Sequence, residues 1–308
     1  MDRWAEMALF VQVAETGSLS RAADVLGLSN AAASRHLSAL EERLGARLVE
    51  RNTRRLYLTE PGQEFLRRAK SILADLQDAE SAVNASTLNP TGMLRISASL
   101  SFSVQHIAPL LPEYTRRYPN VAVHIETANR YPDLIDANID VAIRTREFEP
   151  DSTITIRRLA ETRRILAASP GYFSRMGTPR TLDELERHHM LIYTYANNPY
   201  ELRFARGGEV STVAIKGLLE SNDGQVIRAA ALDGLGILVQ PVYVIYDDIV
   251  AGRLVPVLDG WELPRLTVNL AYPSRKHLSA KVRTFIDFIA EHFERMQYER
   301  KWTQRFGI

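Results

Sequence analysis

The stretch from Ser29 to Arg35 carries side chains that can pair with the edges of DNA bases. Asn30 can pair with adenine, and Arg35 can pair bidentately with guanine or clamp a phosphate. Ser34 can do either, and Ala31 can contact the methyl group of thymine. If Ser29 caps a helix here, the free N–H groups of the first turn add a site for phosphate. On one helix face these residues would form a surface that reads the major groove.

A second group of basic residues follows between positions 43 and 55, where the sequence holds five arginines and a single acid, Glu50. Leu56 and Leu58 alternate with polar residues, and Leu48-Val49 precede a polar turn, which predicts a small β-hairpin. The hairpin would hold three arginines beside the preceding helix, as a wing that reaches the DNA backbone or the minor groove. They are Arg51, Arg54 and Arg55.

Three short helices must position these side chains. The first is predicted over residues 3–16, the second from the cap Ser18 to Gly27, and the third from Ser29 to about Leu44. The second and third, joined by Gly27-Leu28-Ser29, make a helix-turn-helix, with two helices of an ordinary bundle as the alternative. Apolar residues at three- and four-residue spacing predict the buried faces. They are Trp4, Met7, Ala8, Val11 and Ala14, then Leu19, Ala22, Ala23 and Leu26, then Ala33, Leu37, Leu40 and Leu44.

A fourth, longer helix can be capped by Thr59, with Pro61 in its first turn. Apolar residues recur there at alternating spacings of four and three for about three heptads, the pattern of a coiled coil. They are Phe65, Ala69, Ile72, Leu76, Ala79 and Val83. This seam predicts the pairing of two subunits, and a solvated spacer is the alternative. The segment from Ser86 to Gly92, with Asn89-Pro90, then breaks the helix and is interpreted as a hinge.

From Leu94 onward, short apolar runs alternate with helical segments. This alternation predicts an α/β region with a mostly parallel sheet. A second cluster of strands follows, with a hairpin around Gly207-Gly208 and a helix from Gln225 to Leu232. A helix from Ser279 to about Met296 closes the region.

Composition bounds the possible classes of function. A chain of 308 residues suggests about two or three domains. The absence of cysteine excludes disulfides and thiolate chemistry and fits the cytosol. No signal peptide or membrane span is expected. No Walker loop or GxSxG elbow supports an enzyme, Gly234-Leu235-Gly236 lacks the third glycine of a dinucleotide motif, and no histidine spacing supports a metal site.

The stretch ETGSLSRAADVLGLSNAAASRHLSALEERLGARLVERNTRRLYLTEPG resembles the N-terminal domain of LysR-type transcriptional regulators. The resemblance continues, in the same order and over nearly the whole chain, through APLLPEYTRRYPNV, DLIDANIDVAIR, AASPGYFSRMGTP, AALDGLGILVQP, AGRLVPVL and SAKVRTFIDFI. The sequence departs from the family at Asn30 and His36, where the family often has Gln. Residues 297–308 extend past the family's usual end.

The resemblance implies a winged helix-turn-helix at residues 1–59, a linker and dimerisation helix at 60–88, and an effector-binding domain at 89–308. The last would consist of two α/β subdomains, like those of a periplasmic binding protein. Subdomain I would span about 93–161 and 265–296, and subdomain II about 162–264.

The partners that the resemblance implies are double-stranded DNA with a pseudo-palindromic operator, a small-molecule effector, and further copies of the chain in a dimer or tetramer. RNA polymerase is a further candidate partner. The setting would be the bacterial cytoplasm, with no cofactor, membrane association or enzymatic activity. An enzyme or a transport-type binding protein fused to a helical oligomerisation segment is the alternative, which specific DNA binding altered by a small molecule would exclude.

In the family the effector lies between the subdomains, at the carboxyl ends of strands and the amino ends of helices, where α/β sheets in general bind ligands. Here the first strand runs into SASLSFS, which would line the cleft with Ser99, Leu100, Ser101 and Phe102. Arg144 and Arg146 end another strand and would share one face, and Asn222 begins another helix. This set favours a small anion, such as an aromatic carboxylate or sulfonate. The alternatives are serines that only cap helices and, for Arg144, a structural ion pair.

Overall fold

The computed structural model describes residues 2–51, 56–83, 90–130, 133–134, 137–148, 154–273 and 278–306. The chain forms two compact units, the first made chiefly of residues 1–88 and the second chiefly of residues 89–308.

In its described residues, the first unit forms four helices and a two-stranded hairpin. The elements are α1 (Arg3–Thr16), α2 (Leu19–Val25), α3 (Asn30–Leu44), β1 (Val49–Arg51), β2 (Leu56–Leu58) and α4 (Glu60–Val83). Ser18 and Ser29 cap α2 and α3 by accepting hydrogen bonds from the N–H groups of Arg21 and Ala32. Thr59 does the same for α4, and Gly17 ends α1 in the left-handed conformation. These caps and the antiparallel hairpin confirm the element boundaries predicted for this part of the sequence.

The core of the first unit lies where α1 meets the three other helices. Its buried residues are Leu9, Phe10, Val13, Ala22, Ala23, Ala33, Leu37, Leu40, Leu48 and Val49. The predicted buried face of α1 is therefore only partly right: Val11 is buried, but Trp4 is 43% exposed. Because α2, α3 and α4 all pack on α1, the side of α1 that carries Leu9 and Phe10 is the buried one. Leu26 and Leu44 are also exposed, because each lies at the carboxyl end of its helix, away from the packed core.

The second unit contains two five-stranded sheets. Its elements are β3 (Gly92–Ala98), α5 (Leu100–Phe102), a π-helical turn (Ser103–Ile107), a 3-10 turn (Ala108–Leu110), α6 (Leu111–Arg117), β4 (Val121–Thr127), β5 (Val141–Arg146), β6 (Ile154–Thr162), β7 (Arg164–Ala168), α7 (Pro170–Met176), a 3-10 turn (Asp183–Arg187), β8 (Met190–Tyr193), β9 (Glu201–Arg206), β10 (Glu209–Ala214), β11 (Gly217–Ser221), α8 (Gly224–Leu232), β12 (Ile237–Pro241), α9 (Val242–Val250), β13 (Val255–Val257), β14 (Leu266–Pro273), α10 (Ala280–Met296) and α11 (Tyr298–Thr303). The hairpin β9–β10 and the helices α8 and α10 lie where the sequence predicts them.

Each sheet is mixed. The parallel pairing predicted after Leu94 holds for β3, β4 and β5, but the prediction of a mostly parallel sheet is wrong for the sheets as a whole. The strand orders are β4-β3-β5-β14-β6 in the first sheet and β11-β8-β12-β7-β13 in the second. In each sheet two neighbouring pairs are parallel and two are antiparallel. Every antiparallel pair in the two sheets contains β14 or β7. β7 is the first strand after the chain passes from the first sheet to the second, and β14 is the first strand after it returns.

Each sheet with its helices forms one lobe of the second unit. The first lobe contains β3 to β6, β14, α6 and α10, and the second lobe contains β7 to β13, α7 and α8. The chain crosses from the first lobe to the second at Arg163 and returns between Val257 and Leu266. These two crossings define a hinge beside the cleft between the lobes.

Candidate functional site

The exposed face of α3 carries the residues predicted to read DNA. Asn30, Ala31 and Arg35 are exposed and Ser34 is half-buried, whereas Ala33 faces the core. The side-chain oxygen of Ser29 accepts the N–H of Ala32 at 3.2 Å. The helix therefore presents amide, methyl, hydroxyl and guanidinium groups along one face, at the end where its dipole is positive.

Two carboxylates hold α3 against the rest of the first unit. Glu6 on α1 is 3% exposed and pairs with the guanidinium of Arg43 at 2.7 Å. Oε1 of Glu41 accepts the backbone N–H groups of Leu48 and Val49 at 2.8 and 3.0 Å, where the hairpin begins. The helix and the hairpin are thus fixed to each other by hydrogen bonds that charge strengthens. Sequence reasoning missed Glu41, and the only available signal was its place on α3 shortly before the predicted hairpin.

The hairpin holds the predicted wing. Val49 lies opposite Leu58, and Arg51 opposite Leu56. The side chain of Arg51 and the whole of Arg54 and Arg55 lie outside the described residues, so their contact with DNA stays a prediction.

The second unit contains a cavity of about 590 Å³ between its two lobes. This volume suits a small organic ligand, since such sites usually span about 300 to 1,000 Å³. Ser99, Ser101 and Asn129 line it from the first lobe, and Gln240 and Gly224 from the second. The lining also includes the aromatic residues Phe148, Tyr193, Tyr195 and Tyr243.

The described residues that line the cavity include both arginines and a carboxylate. They include three arginines, Arg130, Arg146 and Arg164, and one carboxylate, Glu147. Glu147 pairs with Arg164 at 2.7 Å, so that these two charges offset one another. Arg130 lies over the ring of Tyr195, 4.6 Å from its centroid. Arginines therefore outnumber carboxylates among the described residues of the lining.

The base of the cavity offers hydrogen-bond donors. Gln240 is 3% exposed, and its Nε2 has no hydrogen-bond partner among the described residues. Burial raises the pKa of Tyr243, against the opposing effect of its hydrogen bonds with Thr145 and Ser99, so this phenol stays protonated at neutral pH. An amide and a phenol can both donate to a ligand oxygen.

The structure brings together some of the predicted effector residues and not others. Ser99, Ser101 and Arg146 line the cavity, whereas Leu100, Phe102, Arg144 and Asn222 are outside its lining. Ser99 also caps α5 by accepting the N–H of Phe102 at 3.2 Å.

Four of the predicted residues lie outside the lining, for physical reasons that the structure makes plain. Phe102 is 1% exposed because its ring packs on His106, Tyr243 and Phe293 instead of facing the cleft. Arg144 is 3% exposed and lies opposite Asn269, two residues farther from the strand end than Arg146. Asn222 reaches the cavity only through Tyr195, to whose hydroxyl it donates at 3.3 Å. Leu100 is 37% exposed, outside the cavity.

Residues missed by sequence reasoning complete the cavity. Arg130 and Asn129 follow β4, and Gln240 ends β12, each at the carboxyl end of a strand. The side-chain amide of Asn129 donates to Asp223 at 2.8 Å, which joins the first lobe to the N-cap of α8 in the second. The rule that ligands bind at carboxyl ends of strands could have found all three, had the strand order been known.

Other classes of site are not found in the described part of the chain. No cluster of three or more His, Asp or Glu side chains there could hold a metal ion. No helix among the same residues has the length and apolar character needed to span a membrane.

Family comparisons cover nearly the whole chain. Residues 4–63 match the family described as bacterial regulatory helix-turn-helix protein, lysR family. Residues 88–294 match the LysR substrate binding domain.

Individual relatives are similar over the same length. The chain is 34% identical over 289 residues to the HTH-type transcriptional regulator CrgA of Neisseria meningitidis serogroup C (strain 8013), which covers 93% of this chain and 95% of CrgA. It is also 34% identical over 288 residues to the regulator PtxR of Pseudomonas aeruginosa, covering 93% of this chain and 91% of PtxR. A solved structure of CrgA from Neisseria meningitidis aligns with a TM-score of 0.62 at 32% identity, covering 95% of this chain and 99% of that one.

Proposed function

This chain belongs to the LysR family of DNA-binding transcriptional regulators, and we propose that a small anionic effector in the cleft controls its binding to a pseudo-palindromic operator. The excess of arginine in the cavity lining carries the effector part of this proposal. The family excludes the alternative of an enzyme. We assign DNA reading to residues 1–59, subunit pairing to 60–88 and effector binding to 89–308, and we place this activity in the bacterial cytoplasm, where the chromosome is.

The exposed face of α3 supports major-groove reading by Asn30, Ala31, Ser34 and Arg35. Among these residues, Arg35 should contribute most to base recognition, because a guanidinium can bind a guanine edge with two hydrogen bonds. Arg51, Arg54 and Arg55 of the wing are proposed to bind the backbone or the minor groove. Their loss should weaken binding to all sequences and lower the dependence of affinity on salt.

Replacing Arg35 by alanine tests this assignment. The operator is first identified by genome-wide mapping of bound sites, and affinity is then measured by fluorescence anisotropy at fixed salt. We expect the Arg35→Ala variant to bind the operator about 10- to 100-fold more weakly, since a lost base contact is worth about 1–3 kcal/mol. Arg116→Ala, which removes an exposed arginine from α6, is the matched control. If the Arg35→Ala variant binds its operator as the control does, α3 does not read DNA through this face.

Pairing of two subunits is proposed to run through the C-terminal part of α4. Phe65 and Ala69 are already engaged within one chain, since Phe65 lies 5.5 Å from the ring of Phe10 and Ala69 is fully buried. Ile72 is 41% exposed and Leu76 is half-buried. The side chains of Ala79 and Val83 lie outside the described residues. The seam toward a second copy of the chain would therefore begin at Ile72, and pairing of the second units would extend the dimer to a tetramer.

The effector that fits the cavity best carries a carboxylate or a sulfonate on an aromatic ring. Arg146 and Arg130 would bind the acidic group, while Ser101 and Gln240 would donate further hydrogen bonds. Tyr193, Tyr195 and Phe148 would contact the ring. A cation of the same size would meet more arginines than carboxylates among the described lining residues and would be excluded.

Thermal unfolding with matched probes tests this effector class. We expect benzoate and benzenesulfonate to raise the melting temperature of the second unit, and benzylamine and benzyl alcohol to leave it unchanged, because only a ligand of the native state stabilises it. The Arg146→Ala substitution should lower the affinity for the stabilising anion roughly tenfold, as expected for the loss of one charge-assisted hydrogen bond. The control Arg203→Ala, on the exposed side of β9, should not. Equal stabilisation of the Arg146→Ala variant would remove Arg146 from the proposed site.

A further inference from the structure

The chain continues past the end of the matched family domain into a short, tightly packed segment. The domain match ends at residue 294, and α10 ends at Met296. Gln297 then adopts a left-handed conformation with φ of 51°, which turns the chain into α11. Trp302 on α11 is only 1% exposed, although it lies six positions beyond the end of α10. We call residues 297–306 the C-terminal segment.

One side of the C-terminal segment is attached to the first lobe. The carboxylate of Glu299 accepts hydrogen bonds from Arg158 at 2.9 Å and from the backbone N–H of Glu161 at 3.1 Å, both on β6. The ring of Tyr298 lies 4.9 Å from that of Phe293 on α10. Trp302 lies 5.1 Å from His106, whose pKa is lowered by burial to about 4, so that the imidazole is neutral in this aromatic cluster.

The other side is attached to α9, which packs on α8 and β12 of the second lobe. Trp302 lies 5.8 Å from the ring of Tyr243, and Phe306 lies 6.2 Å from that of Tyr246. Arg305 adds an exposed ion pair with Glu262 at 3.4 Å. The same short segment therefore contacts elements on both sides of the cleft.

The strongest contacts lie on the hinge itself. Arg163, at the first crossing, is 2% exposed and pairs with Asp259, at the second crossing, at 2.8 Å. A buried ion pair is favourable only if further hydrogen bonds satisfy both charges. The C-terminal segment supplies them: the carbonyl of Gln304 accepts from Arg163 at 3.1 Å, and the N–H of Phe306 donates to Asp259 at 2.9 Å. The backbone N–H of Arg163 also donates to the carbonyl of Trp302 at 3.1 Å.

We propose that the C-terminal segment is a clasp that sets the angle between the two lobes of the second unit. Two covalent crossings alone allow a hinge rotation through changes in a few backbone dihedrals. The segment adds a third, noncovalent connection that holds both crossings through Arg163 and Asp259. Rotation of the lobes must either break this connection or carry it along, so the clasp biases the equilibrium between open and closed clefts. This proposal concerns the free protein and does not depend on the nature of the effector.

Distances between spin labels measure the lobe angle directly. The chain has no cysteine, so Asn120→Cys on the first lobe and Arg203→Cys on the second give one labelled pair, both at exposed positions. Labelled chains are mixed with excess unlabelled chain, so that only distances within a chain are recorded. We expect a chain that ends after Gln297 to give a distribution shifted from that of the full chain and roughly twofold broader, because one of three connections across the hinge is lost.

Two further variants make the result decisive. A chain that ends after Gln304 keeps Trp302 but loses the contacts of Arg305 and Phe306, and should give an intermediate width. Arg300→Ala, on the exposed side of α11, should match the full chain. Circular dichroism checks that each variant is folded. An unchanged distribution in folded truncated chains overturns the proposal. So does unfolding of the shorter chain together with an unchanged distribution in the one that ends after Gln304, which would make the segment part of the core.

Discussion

Replacing Ile72 by aspartate should lower the affinity for the operator by about 100- to 10,000-fold, the range by which linking two binding modules exceeds one. Ile72 is a large apolar residue that is 41% exposed on α4. If it lies in a seam between two subunits, a carboxylate there would lose its hydration without gaining a partner. The dimer would separate, and each monomer would hold only one half of a two-fold operator.

Sedimentation and anisotropy together test this expectation. The Ile72→Asp and Leu76→Asp variants should both sediment with a lower mass, and their operator affinity should fall to that of a single half-site. Gln63→Asp adds a carboxylate at an exposed position in the first turn of the same helix and should change neither quantity. An unchanged mass for the Ile72→Asp variant would contradict the pairing role of α4. A lower mass with full operator affinity would show that a monomer suffices for binding.

The local features of the first unit could be predicted from the sequence because each depends on a few neighbouring residues. Ser18, Ser29 and Thr59 cap the helices that follow them, and Gly17 ends α1, as their residue types indicate. Which side of α1 is buried could not be predicted, because apolar residues lie on more than one side of that helix. Its three packing partners decided the outcome.

The cleft was harder to predict because it is assembled from strands far apart in the sequence. Ser99, Ser101 and Arg146 line the cavity, and the sequence points to them because each lies at or just beyond the carboxyl end of a recognisable strand. Arg144 lies outside the lining although it shares a strand face with Arg146. The alternation of a strand predicts which face a side chain lies on, but not which positions along that face are buried. The pairing of Arg163 with Asp259 could not be predicted, since the two residues are 96 positions apart and only the fold brings the two crossings together.

Replacing Gly62 by alanine should destabilise the first unit by about 3 kcal/mol or more, at the upper end of the usual cost of overpacking. A Cβ at this position would lie 2.1 Å from the carbonyl oxygen of Leu48 and 3.0 Å from its carbonyl carbon. Leu48 cannot move aside, since its N–H is held by Glu41 and its carbonyl accepts the N–H of Thr59. Both sides of the contact are backbone, so no change of rotamer relieves it.

Gly45 provides the matched control, because it is a glycine for a different reason. Its φ is 65°, and nothing lies within 4 Å of an added Cβ, so Gly45→Ala should cost only about 1–2 kcal/mol of backbone strain. Calorimetry of both variants measures the difference. We expect Gly62→Ala to lower the melting temperature of the first unit well below that of Gly45→Ala, and to leave the transition of the second unit in place. If the first unit of the Gly62→Ala variant melts at or above the melting temperature of the Gly45→Ala variant, then α4 does not pack tightly against the backbone of Leu48 at the start of the hairpin. The hydrogen bonds of Glu41 and Thr59 would then be too weak to hold the wing beside α3.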